Sequence, residues 1–278
     1  MVKLIEKYPT FFFFAFALFI AWIFWIPMAL HTLEIINFPL PIIIGQFLGT
    51  LSVLASLFIL EKLTHKQITL DSIFQKIQFK KDAKILVWLV IAACLLPFFT
   101  ISGNLIDRLI GWNESFIIIK PEVLTELGIT IIFLMPITLI AGLLSSPVLE
   151  EPGWRGFAVE RLHSNYNHIF GSIILGNLWW LWHIPINIAN GIEITIFSYL
   201  SMIVFSFAID TIYVLSDRNL LTAMIMHSSL IVQFSYMYYN EASFGKLIIS
   251  IAVLCCLRIY YQKKEETGVR KRVETGKF

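Results

Sequence analysis

Two adjacent carboxylates, an arginine four residues beyond the second, and two distant histidines are the residues of this chain whose types and spacing can do chemistry. The first cluster reads Glu150-Glu151-Pro152-Gly153-Trp154-Arg155-Gly156-Phe157. His183 sits in Leu178-Trp179-Trp180-Leu181-Trp182-His183-Ile184-Pro185, and His227 in Met224-Ile225-Met226-His227-Ser228-Ser229. Acids within strongly apolar sequence are costly, and they mark pathways or reactive sites. On a helix Glu151 and Arg155 are four apart with the acid N-terminal, the favourable orientation for a pair. Glu150 projects about 100° away from Glu151 and is left without that partner. A carboxylate so placed in a poorly solvated setting suits a general base. Each histidine taken singly reads as a hydrogen-bonded interior residue.

The elements that carry these residues are membrane helices. Of 278 residues 58% are hydrophobic and 14% charged, against about 25% charged in a soluble domain. The apolar residues come in long runs, so the bilayer is the solvent for most of the chain. The fold class this implies is all-α, a polytopic membrane protein of about eight transmembrane helices. It forms a single transmembrane domain over residues 1–262, followed by a basic tail, 263–278, expected to be disordered. Spans are predicted at 11–30, 39–60 (with Gly45 and Gly49 at a close-packing spacing), 85–103, 169–189, 194–216, 220–239 and 244–261. Between the third and the next of these, a long apolar region from about Ile129 runs through Pro147 and the acidic motif as a helix to about Arg161. The lysine-rich stretch Glu61 to Lys84 is the one loop before the tail with room for a surface helix. In the last span Lys246 and Arg258 are expected to snorkel outward.

Eight spans put both termini on one side. The terminal side then carries 18 of the lysines and arginines and the other side 3. The positive-inside rule places both termini in the cytoplasm. Depth supports a meeting of the candidate groups. At 1.5 Å per residue Glu150 stands about 17 Å above Arg161, His183 about 22 Å above His168, and His227 about 13 Å above Arg218. Helix tilt absorbs a spread of that size. Cys94, Cys255 and Cys256 have neither zinc-ligand nor disulfide spacing, and His31, His65, His163 and His168 fall in loops or at span ends.

The order Glu-Glu-x-x-x-Arg, aromatic-x-x-x-His and a third helix with His resembles the CAAX protease and bacteriocin-processing family of intramembrane proteases (CPBP, type II CAAX endopeptidase or Abi). The elements are Glu150-Glu151-Pro-Gly-Trp-Arg155, Trp179-Trp-Leu-Trp-His183 and His227, and the resemblance covers roughly residues 130 to 240. It implies an eight-helix endopeptidase whose site opens toward the cytoplasm. Glu150 and His183 would activate a water for peptide hydrolysis, Glu151 would pair with Arg155, and His227 would help hold the oxyanion. The family often has a polar residue four positions after that histidine, where this chain has Ile231; Asn187, on the face of His183, can supply the missing donor.

Metal use stays open at this level. Two histidines and a carboxylate can ligate zinc with a water in the fourth position, and the family is often called metalloprotease. The same Glu150, His183 and His227 can also work without metal. The implied partners are a peptide or membrane-protein substrate and the lipid bilayer, with no nucleic acid, in what reads as a bacterial cell membrane. Two other readings compete. One is a non-catalytic bacteriocin self-immunity or scaffold protein on the same fold, and the other a transporter or proton pathway using Asp210 as a relay group.

Overall fold

The computed structural model describes residues 2–65, 68–79, 82–113, 116–238 and 242–274, the backbone alone at 262 and 264–274. Among the described residues the chain is helical, with no strand and one isolated bridge between Ile119 and Met237. Helix α1 (Val2–Lys7) leads into α2 (Pro9–Thr32), which carries no Asp, Glu, Lys or Arg. Its buried residues include Phe13, Ala17, Ala21, Trp25 and Met28, spaced by a turn of helix and therefore on one face. That face packs on α3 (Ile42–Leu63). Gly45 and Gly49 are what let it do so. A Cβ on Gly45 would collide with Met28 and one on Gly49 with Trp25, whose indole donates to the Gly45 carbonyl at 2.9 Å.

The expected surface helix is the five-residue α4 (Leu70–Phe74), which buries Ile73. Helix α5 (Ala83–Leu109) is started by the Asp82 side chain and contains Pro97. The chain then forms α6 (Pro121–Leu127), a 3₁₀ turn (Gly128–Thr130) and α7 (Ile131–Leu143). The helix predicted to run unbroken from 129 to 161 is in fact interrupted twice. It breaks at Leu144 and Ser145, restarts as α8 (Ser146–Gly153), passes through a π-helical turn (Trp154–Val159) and ends in α9 (Glu160–Tyr166). Pro147 tolerates only the first turn of a helix, which sets the restart. Pro152 has no N–H to bond the carbonyl four residues back, and the wide turn follows directly.

The remaining helices are α10 (His168–Ala189), α11 (Ile196–Leu215), α12 (Leu220–Tyr236) and α13 (Phe244–Glu274). Asn167, at φ 96°, turns the chain from α9 and caps α10 with its own side chain. Seven stretches among the described residues are long and apolar enough to cross a membrane, and the 17-residue α12 is a shorter apolar helix beside them. The architecture is thus the expected polytopic all-α one of about eight spans.

One expectation for the last span fails. Arg258 does not snorkel; it is 5% exposed, donating from Nε to Thr211 Oγ1 at 3.0 Å and from Nη2 to Ser172 Oγ at 3.2 Å. Hydroxyls on α10 and α11 within reach of a guanidinium hold it inside. Lys246, in the first turn of α13, is half-buried. α13 continues to Glu274, because Lys, Glu and Arg are good helix formers and extend a helix already nucleated; residues 275–278 lie outside the described residues.

Candidate active site

Helix α7 lies along α12 from its end toward its middle. Thr138 bonds Tyr236 at 2.6 Å, Ser228 donates to the Leu139 carbonyl, and Gly142 leaves room for Ser228. The chain therefore breaks at Leu144 and Ser145 at mid-depth in the bundle, and α8 starts beside His227. Glu150 lies one turn in. This is how a broken span delivers polar groups into the membrane interior while neighbouring helices shield the break.

Glu150 is 2% exposed. Its Oε2 accepts from two indoles, Trp179 Nε1 at 3.0 Å and Trp154 Nε1 at 3.2 Å. Trp154 follows Glu150 by one turn, while Trp179 comes from α10. His183 is bound to the same Trp179 by its backbone: Nδ1 lies 2.8 Å from the Trp179 carbonyl. A carbonyl only accepts, so Nδ1 carries the proton and Nε2 of the neutral ring is left with its lone pair. Glu150 and His183 are thus joined through one tryptophan, the indole serving the acid and the carbonyl the base.

Glu151 has the partner its spacing predicts. Arg155 Nη1 donates to its Oε1 at 3.1 Å, both side chains wholly buried. The same oxygen lies 2.6 Å from His227 Nδ1. His227 is 6% exposed, and its Nε2 faces Ser146 Oγ at 3.5 Å, too long for a good hydrogen bond. Sequence spacing could not reveal the rest of the arginine's environment. Its Nε donates to Asp210 Oδ1 at 2.9 Å, and its Nη2 to Ser206 Oγ at 2.9 Å and Ser206 O at 3.3 Å. The guanidinium lies over the Trp179 ring at 4.7 Å, a cation–π contact within the usual reach. Asp210 is thus a partner of Arg155 in a buried ion-pair network. Its signal in the sequence was a lone acid in a span; what it paired with was not legible.

His183 also lines a cavity of about 280 Å³ between α5, α10, α11, α12 and α13. Asn187 lines it too, so the α10 face that carries His183 carries both. The wall residues come from the last turns of α10 and α12 and the first turns of α11 and α13. The cavity therefore occupies the half of the bundle away from the termini. Ile231 sits elsewhere, packed toward Gly142 on α7.

The family model for Rce1-like proteins, type II CAAX prenyl endopeptidase Rce1-like, matches residues 132–231. The chain carries an Rce1-like core. That Rce1-like stretch takes in Glu150, Glu151, Arg155, His183, Asp210 and His227 and ends at Ile231. CAAX prenyl protease 2 of Methanococcus maripaludis is 32% identical over 95 residues, which cover 31% of this chain and 35% of that protein. The match thus spans about a third of the relative's length.

A zinc site is not what these side chains form. Among the described residues no three of His, Cys, Asp or Glu are grouped closely enough to hold a metal ion. The hydrogen bonds at Nδ1 leave Nε2 of both histidines and Oε1 of Glu150 as donor atoms, so it is their grouping and not their chemistry that fails a metal.

Proposed function

We propose that this protein is an intramembrane endopeptidase in which Glu150 and His183 activate a water. The observation that carries the proposal is the buried Glu150 carboxylate, held by Trp154 and by the same Trp179 whose carbonyl faces His183. Indole donors hold Oε2 and leave Oε1 for a water. The neutral His183 presents Nε2 as the acceptor for one of that water's protons. The water attacks the scissile carbonyl, its proton passing to this pair and from there to the leaving amine. His227 is the oxyanion donor. Its Nε2 donates only when the ring carries both protons, since Nδ1 already faces the Glu151 carboxylate. Asn187 adds an uncharged donor in place of the one that Ile231 does not provide.

The substrate is a peptide or membrane protein with an apolar segment, since the space beside His183 is apolar over most of its wall. The charge distribution supports cytoplasmic termini, even with Arg155 and Arg258 removed from the count as buried residues. The cavity at His183 lies in the other half of the bundle and does not supply the cytoplasmic opening that the resemblance implies. A non-catalytic immunity or scaffold role remains the second reading, on the single ground of the apolar Ile231. The test is cleavage of a quenched-fluorescence library of apolar peptides by the protein in liposomes, wild type against Glu150→Gln. Cleavage by wild type alone supports the hydrolase; equal cleavage by both removes it.

A further inference from the structure

The cavity beside His183 holds more polar groups than an apolar seat needs, and the protein itself leaves them unused. Gln233, on α12, is 2% exposed and lines the cavity. Its side-chain amide makes no hydrogen bond among the described residues, whereas its backbone carbonyl accepts from Met237 N. The same holds for the side-chain amide of Asn187 on α10. Two hydroxyls in the wall, Thr100 Oγ1 and Ser201 Oγ, are buried with no hydrogen-bond partner. Thr100 is itself 2% exposed. Each such group costs free energy in an apolar interior unless a ligand completes it. None of them belongs to the network around Glu150, and Gln233 lies beyond the residues that match the Rce1-like model.

The chemistry of the set selects the occupant. A primary amide offers a donor and an acceptor side by side, and a hydroxyl offers both. Uncharged groups of that kind match the N–H and C=O of a peptide backbone. A lipid chain has nothing to offer them. A helical substrate has nothing to offer either, because its backbone groups are already paired within the helix. Along α12, Gln233 is six residues from His227, about 9 Å at 1.5 Å per residue. Along α10, Asn187 is four residues from His183, about 6 Å. Gln233 therefore stands about three extended residues away from His227, on the side away from the termini, while Asn187 stays within reach of the reacting carbonyl. We infer that the cavity seats an unwound, extended stretch of the substrate next to the scissile bond, and that Gln233 grips its backbone, with Thr100 as a second contact. The inference rests on the endopeptidase reading and adds a conformational requirement: the substrate is recognised by the exposed backbone of an apolar stretch.

The experiment measures binding in detergent of acetyl-trileucine amide and of the analogue with one ester in place of an internal amide. The proteins are Glu150→Gln alone and Glu150→Gln carrying Gln233→Leu or Thr100→Val, the last a change that keeps shape and removes only the hydroxyl. The expected result is that Glu150→Gln binds the peptide, and that Gln233→Leu weakens it about 2- to 10-fold, the usual range for a neutral hydrogen bond or two. The ester analogue then binds Glu150→Gln more weakly than the peptide, and Gln233→Leu narrows that difference. No binding to Glu150→Gln, or binding of peptide and ester unaffected by both substitutions, overturns the backbone grip. So does dodecane binding that competes with the peptide and is equally insensitive to Gln233→Leu, which makes the cavity a lipid seat. The two readings fail separately: a grip that fails leaves cleavage dependent on Glu150, and a hydrolase that fails leaves peptide binding dependent on Gln233.

Discussion

Arg155 Nε donates to Asp210 Oδ1 at 2.9 Å, and neither side chain meets solvent. The same guanidinium holds Glu151, and Glu151 holds His227. Four charged or ionisable groups on α8, the π turn, α11 and α12 are thus strung into one chain. Breaking a buried pair by removing one partner costs about 3–5 kcal/mol, because the other charge stays buried. Arg155→Ala and Asp210→Ala should each lower thermal stability in detergent by an amount in that range. The double variant should lose less than the sum, since the two share one contact. Unfolding curves of the three variants check this; strictly additive losses would mean that the contact is not formed.

For Glu150, the proposed role of general base predicts a fall in kcat on substitution. Proton transfer by a placed base contributes about 10²- to 10⁴-fold, so Glu150→Gln should lose at least that. His183→Ala should lose a similar factor, and the double variant little more, as groups acting on one water are not additive. His227→Ala should cost about 10²- to 10³-fold, the loss typical of one oxyanion donor. Steady-state cleavage of one peptide by the purified variants decides between these outcomes.

Trp179 gives a sharper test, because it serves Glu150 with its indole and His183 with its carbonyl. Trp179→Phe keeps an aromatic ring and the backbone, and removes the indole N–H together with the pyrrole half of the ring. A hydrogen bond to a charged group is worth about 1.5–3 kcal/mol, so kcat should fall about 10- to 100-fold while KM changes little. A variant with unchanged kcat would place the working form of Glu150 away from Trp179.

Topology is open to direct measurement. Cysteines introduced at Lys3 and Asn113, in a background without Cys94, Cys255 and Cys256, should react differently with an impermeant thiol reagent added to whole cells. Position 113 should label and position 3 should not. The reverse pattern would invert the orientation.

His163, on α9, is held neutral. Burial, with His168, Arg258 and Arg218 nearby, lowers its pKa to about 3. In the unfolded chain it titrates near its ordinary value of about 6.5. The unfolded state therefore binds the extra proton first, so the contribution of His163 is complete above about pH 6.5 and declines as pH falls toward 3. The unfolding temperature measured between pH 7.5 and 4.5 should drop in wild type and drop less in His163→Gln. Identical slopes would show that His163 does not set the acid sensitivity.

The legibility of the site followed the range of each interaction. Glu151 with Arg155 is a local pair on one helix, and its spacing alone announced it. Asp210 with Arg155 is separated by 55 residues, and no periodicity within either segment encodes it. Gln233 likewise lies in a span where nothing local distinguishes a cavity wall from a helix contact. Arg258 was misread because long basic side chains near span ends usually reach the interface; the hydroxyls of Ser172 and Thr211, on two other helices, reverse that preference.

Composition and hydropathy by themselves determined the solvent, the helical class and the approximate spans, because a backbone in lipid has few ways to satisfy its own polar groups. The motif residues and their order also determined which side chains were candidates for chemistry. Tertiary structure alone decided the break before α8, the π turn after Pro152, the double use of Trp179 and the inward turn of Arg258. These depend on which helix faces which across the bundle, and in a uniformly apolar sequence hydrophobic pattern says little about that. Side-chain packing and paired polar groups choose the neighbours, and those exist only once the helices have met.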